Sequence, residues 1–135
     1  MSPLEQLVAV ELLEHGDDLL AHRRAALRES RDAAVAGVRR LLPDWRVRTP
    51  TGGLNLWCEL PEGASSALAL AARDVGVVLA EGPAFAPEGG LDRFLRIPYT
   101  QPAEALEEAI ARIAEVWPAT VGLGRPRSGN PTMVA

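Results

Sequence analysis

Lysine is absent from this 135-residue chain, and 14 arginines supply its basic charge alongside two histidines. Arginine stays protonated at any working pH and forms no imine, so the chain has no amine for Schiff-base chemistry on a lysine. Cysteine occurs once, at Cys58, which excludes an internal disulfide framework and fits a reducing, cytoplasmic setting. Its place on the apolar side of a strand pattern makes it a buried structural thiol rather than a nucleophile. No apolar run approaches the roughly 18 to 20 residues needed to span a bilayer, and the first residues lack a basic segment followed by an apolar one. We therefore expect a soluble chain with no membrane partner. A Gly-rich nucleotide fingerprint, a P-loop, a Gly-x-Ser-x-Gly elbow and a metal-ligand spacing are also missing. His15 and His22 stand seven apart with no carboxylate or thiol set beside them, so no metal is expected.

What is present suits one domain with a modest core, since 47% of the residues are hydrophobic. The net charge of −4 argues against a grip on a nucleic-acid backbone. Arg23, Arg24, Arg28 and Arg31 cluster in sequence, but with Glu29 and Asp32 interspersed they predict a solvated helix face.

Hydrophobic spacing divides the chain. Residues 3–14 form a short helix apolar on most sides, with Leu4, Leu7, Val8, Val10, Leu12 and Leu13. Asp17 caps a long helix to about Leu42, whose buried stripe is Leu19, Ala26, Leu27, Ala34, Val38, Leu41 and Leu42. From Trp45 the period becomes alternating: strands at 45–48 and 54–60 flank a Thr-Pro-Thr-Gly-Gly turn. Leu54, Leu56, Cys58 and Leu60 share one face of the second strand, with Asn55, Trp57 and Glu59 on the other. A helix at 65–74 stops at Gly76, residues 77–80 form a short buried strand, and 81–90 form a loop. An extended segment at 93–99 precedes a last helix capped by Thr100, with Ala105, Leu106, Ile110, Ile113, Val116 and Trp117 as its stripe. Ser65 and Ser66 also read as caps. Beyond Pro118 we expect a disordered tail, 118–135. The order predicts an α+β fold, a small antiparallel or mixed sheet with helices packed on one face.

Three segments then carry a resemblance. Pro50-Thr-Gly-Gly-Leu-Asn-Leu-Trp-Cys-Glu-Leu-Pro61, Gly76-Val-Val-Leu-Ala-Glu-Gly-Pro-Ala-Phe85 and Leu95-Arg-Ile-Pro-Tyr99 resemble, in order, strands of the C-terminal small domain of class I aminotransferases. Within that superfamily, Ser2-Pro-Leu-Glu-Gln6, Glu29-Ser-Arg-Asp32 and the Arg96-to-Pro102 segment are most similar to MocR-type regulators of the GntR family. These join a DNA-binding winged helix-turn-helix to an aminotransferase-like effector domain. Glu81 stands where the family usually has proline.

The resemblance implies that residues 1–16 are a helix remnant of a large cofactor domain, and 17–117 an aminotransferase-like C-terminal domain opened by a long bridging helix. It implies pyridoxal phosphate in an intact parent, held by a lysine upstream, with none bound covalently here. It makes Arg96 the residue that binds a substrate or effector carboxylate. By alternation alone, Arg96 shares a strand face with Phe94, opposite Leu95 and Ile97. Gly52 and Gly53 either relieve a tight turn or let a backbone group approach a ligand. Asn55 is a further candidate lining residue, and Phe85 either lines the cleft or anchors its loop on the core. Trp57 reads as packing. No catalytic residue is expected.

The first functional expectation is the effector-sensing part of a MocR-type regulator, binding an amino-acid-like or pyridoxal-related molecule, and DNA only through a module absent here. A genuine pyridoxal phosphate-dependent aminotransferase and a stand-alone dimerising interaction domain are the alternatives, with a homodimer as the expected assembly.

Overall fold

The change of period at Trp45 marks the passage from helices to sheet. The computed structural model describes residues 1–122. Its elements are α1 (Pro3–Glu14), α2 (Gly16–Leu41), β1 (Arg46–Val47), β2 (Asn55–Glu59), α3 (Ser65–Asp74), β3 (Ala80–Glu81), a 3₁₀ turn (Gly82–Phe85), β4 (Phe94–Pro98) and α4 (Ala103–Thr120).

All strand pairs are antiparallel, in the order β1-β2-β4-β3, so β2 and β4 form the centre. In that central pair Leu56 opposes Ile97 and Cys58 opposes Leu95, and all four are buried. Directly opposed residues share a face, so this is the face that α2, α3 and α4 cover. Val38, Leu68, Ile110 and Ile113 meet it in one hydrophobic cluster. Each fully buried Leu or Ile contributes roughly 1.5–3 kcal/mol. The helices come close because α2 presents Gly37, where a Cβ would lie 3.3 Å from Ile110 Cδ1. Trp45 and Trp117 meet edge-to-face at 5.3 Å, tying the start of the sheet to the end of α4.

Helix ends depart from the predicted capping. Ser2 does cap α1: its hydroxyl accepts from the Glu5 amide, and the Glu5 carboxylate accepts from the Ser2 amide at 2.6 Å. Asp17 does not cap α2, because the chain passes from α1 through His15 directly into a helix beginning at Gly16. Asp17 and Asp18 instead place negative charge in its first turn. The Ncap positions of α3 and α4 are Ala64 and Pro102, without side-chain bonds, so Ser65, Ser66 and Thr100 are not caps. Ser65 is buried, and its amide donates to the Asp92 carbonyl at 3.0 Å. At the end of α3 the expectation holds. Gly76, at φ 77°, lets its own amide reach the Arg73 carbonyl and the Val77 amide reach that of Ala72.

Other boundaries moved. Leu19 and Leu54 are exposed, whereas Ser30 and Val35 join the buried side of α2. The predicted buried strand at 77–80 shrinks to Ala80–Glu81, and Val78 is 80% exposed. The last helix continues through Pro118 to Thr120, whose buried hydroxyl donates to the Trp117 carbonyl at 2.8 Å. The expected tail therefore begins no earlier than Val121, and residues 123–135 lie outside the described ones.

Candidate functional site

β4 carries Arg96 at the middle of the sheet, opposite Trp57 of β2 on one side and Ala80 of β3 on the other. Its neighbours Leu95 and Ile97 are buried, so alternation turns Arg96 to the face that the helices leave uncovered. Three aromatic rings gather there. Phe94 stacks on Trp57 with centroids 5.6 Å apart and planes at 15°, and Phe85 meets Trp57 edge-on at 5.8 Å. The Arg96 guanidinium lies 4.7 Å from the Phe85 ring centroid, within cation–π range.

Arg96 combines a half-buried position with a lack of polar partners. Among the described residues no carboxylate pairs with it, and its buried Nε has no hydrogen-bond partner. An unpaired donor shielded from water carries a desolvation penalty that an incoming acceptor would relieve. Two other arginines of the sheet region have partners: Arg93 donates to the Leu60 and Pro61 carbonyls at 3.2 and 2.9 Å, and Arg46 stands 4.0 Å from Glu59.

Phe85 belongs to this open face rather than to the core, being 43% exposed and in contact with Trp57 and Arg96. Trp57 is 41% exposed on the same face, where it packs against Phe94 and Phe85. Asn55, paired with Pro98, lines one groove with Trp57 and Phe94. Gly52 and Gly53 sit elsewhere, at the end of the sheet, where the Tyr99 hydroxyl approaches their carbonyls at 3.2 and 2.6 Å. They line a cavity against α2 that Arg96 does not reach. The arginine face of α2 is only partly solvated: the Arg31 side chain is 21% exposed and donates to the Pro50 carbonyl at 3.2 Å.

Phe94, Tyr99 and Arg31 were missed as neighbours of candidate residues. Alternation already put Phe94 on the Arg96 face, but pairing across strands needs the β2–β4 register. Contrary to expectation, His15 does have carboxylates beside it. Glu11, Glu14 and His15 bring ligand atoms within 4.8 Å, but all three are exposed at the end of α1, as neighbours in a helical turn are.

No family model matches the chain. The LL-diaminopimelate aminotransferase of Oleidesulfovibrio alaskensis is 34% identical over 113 residues, 82% of this chain and 28% of that protein. The 2-aminoadipate transaminase of Thermus thermophilus is 32% identical over 114 residues, 82% of this chain and 29% of its own length. Among solved structures, an α-aminoadipate aminotransferase of Thermus thermophilus, complexed with N-(5'-phosphopyridoxyl)-L-leucine, matches with a TM-score of 0.78 at 28% identity, covering 87% of this chain and 31% of that one. The chain spans less than a third of the length of the relatives it matches. An antiparallel sheet with helices on one face, shared with these proteins in sequence and in shape, gives this chain an aminotransferase-like fold of class I.

Proposed function

We propose that this chain is one part of a pyridoxal phosphate-dependent aminotransferase and supplies, in Arg96, the group that holds the carboxylate of an amino-acid substrate. The observation that carries this reading is the unpartnered guanidinium at the centre of the open sheet face. A planar guanidinium can give a carboxylate two parallel hydrogen bonds, which fixes the substrate in orientation as well as in place. Phe85 confines the guanidinium from one side, and the Arg96 Nε is itself shielded from water, so a bond to it forms in a less screened setting.

The donor set here does not fit covalent attachment of the cofactor. There is no lysine, and the one thiol is buried among apolar residues. A Schiff-base amine would have to come from polypeptide outside this chain. The relatives named above are aminotransferases, which favours the enzyme over the effector domain of a regulator.

The test is calorimetry of a carboxylate ligand with the intact parent protein carrying Arg96→Ala and, separately, Arg96→Lys. Loss of the bidentate pair should weaken binding roughly tenfold or more in the alanine variant, with only partial recovery in the lysine one. Unchanged affinity in both would remove Arg96 from the role.

A further inference from the structure

A second cavity, of about 300 Å³, opens between α2 and the turn before β2, lined by Arg24, Arg28, Arg31, Gly52, Gly53 and Tyr99 among others. The three arginines stand four and three residues apart, so one face of α2 presents them together. No acidic side chain lines the cavity.

The hydrogen bonds of the wall show what is missing. Arg31 Nη1 donates to Pro50 O at 3.2 Å, and the single Tyr99 hydroxyl proton is shared between Gly53 O at 2.6 Å and Gly52 O at 3.2 Å. Of the two acids interspersed among the arginines, Glu29 lines a different groove and Asp32 is taken by Arg31 through Nε and Nη2, both at 2.8 Å. Arg24 and Arg28 therefore have neither a carboxylate nor a hydrogen-bond acceptor among the described residues. On the opposite wall, the Cβ positions of Gly52 and Gly53 meet nothing within 4 Å, so the space before the arginines is open. Arg24 and Arg28 are exposed at the rim of the cavity, which therefore gathers positive charge and guanidinium donors without a facing carboxylate, a pattern that an anion would match.

We propose that this cavity binds a small oxyanion of at least two negative charges, a phosphate group or a pair of carboxylates. Two free guanidinium forks match such a ligand in charge and can each engage two of its oxygens. The volume, at the low end for ligand pockets, suits a small molecule rather than a polymer. The net charge of −4, with Asp17 and Asp18 on the same helix, disfavours a nucleic-acid backbone. This inference is independent of the role given to Arg96, which does not line the cavity.

The test is an amide NMR titration of the full 135-residue chain at low salt. Inorganic phosphate and succinate are the two probes, chloride is the control, and a short DNA duplex is the competitor. Saturable shifts centred on Gly52 and Gly53, at about millimolar phosphate or succinate, are expected, and whichever probe binds more tightly names the source of the charge. Arg24→Gln with Arg28→Gln should weaken that binding roughly tenfold or more while leaving the spectrum dispersed, Arg28→Lys should retain part of it, and Arg96→Ala should leave it unchanged. Shifts that stay linear with both probes to roughly 20 mM, or that persist in the double variant, would overturn the proposal. So would a duplex that binds at those amides more tightly than either probe.

Discussion

Cys58 lies on the buried face of β2 beside Leu56 and Leu60, and burial pushes its thiol from 9.0 up to about 12. The unfolded chain gives up this proton near pH 9, while the folded chain keeps it to about pH 12. Above pH 9 the unfolded state therefore binds fewer protons, and stability falls across that window. A thiol reagent at pH 8 should leave the native chain unmodified and react fully once denaturant is added. Cys58→Val should flatten the pH dependence of the denaturation midpoint between pH 9 and 11. Rapid native labelling would mean that β2 opens locally. The burial of Cys58 was legible from the alternation of Leu54 to Leu60. The exposure of Trp57 was legible too, but its surroundings were not. An outward tryptophan gains meaning only when Phe94, Phe85 and Arg96 arrive beside it from other segments.

The 3₁₀ turn shows how an element aims a side chain. Glu81 stands where the resemblance led us to expect proline, and its φ of −71° and ψ of 149° are values that proline would adopt. In β3 it pairs with Leu95 of β4, which restrains its backbone within the sheet. Gly82 is the stricter position: a Cβ there would run into the Leu91 backbone and come within 2.8 Å of the Phe94 carbonyl oxygen. Backbone cannot step aside as a side-chain tip can, so Gly82→Ala should destabilise the chain by about 1–3 kcal/mol. The shift in urea midpoint measures this, and displacement of Phe85 should accompany it as a change in Arg96 side-chain NMR signals. A midpoint equal to that of the unsubstituted chain would show that the loop relaxes freely. The misplaced caps at Asp17, Ser65 and Thr100 have a common cause. Capping residues mark where a helix can start, but the direction from which the chain enters decides whether one is used, as at His15 between α1 and α2.

Stability is distributed unevenly over the molecule. The core joins α2, α3 and α4 to the central strands, while α1 has no buried residue and leaves Leu4, Leu7 and Leu13 largely exposed. Deleting residues 1–14 should therefore change the unfolding free energy by less than about 0.5 kcal/mol, since surface segments contribute little. The same deletion should reduce concentration-dependent association in sedimentation, because contiguous exposed apolar surface promotes it. A large loss of stability would place α1 in the folding unit after all. An unchanged sedimentation profile would rule α1 out as the associating surface, and with it the homodimer expected through this helix.

The fold class and most elements were fixed by local chemistry: apolar residues spaced for a helix or a strand, and Gly76 as a stop. The lack of lysine likewise settled, from composition alone, that this chain supplies no Schiff-base amine. The tertiary structure decided what those elements place together. Register set Trp57 opposite Arg96, the 3₁₀ turn brought Phe85 onto the guanidinium, and α2 met the Gly52–Gly53 turn around a separate cavity. Periodicity acts between residues a few positions apart. The surroundings of a charge are set by segments tens of residues away, brought into contact only when the shared apolar face is buried.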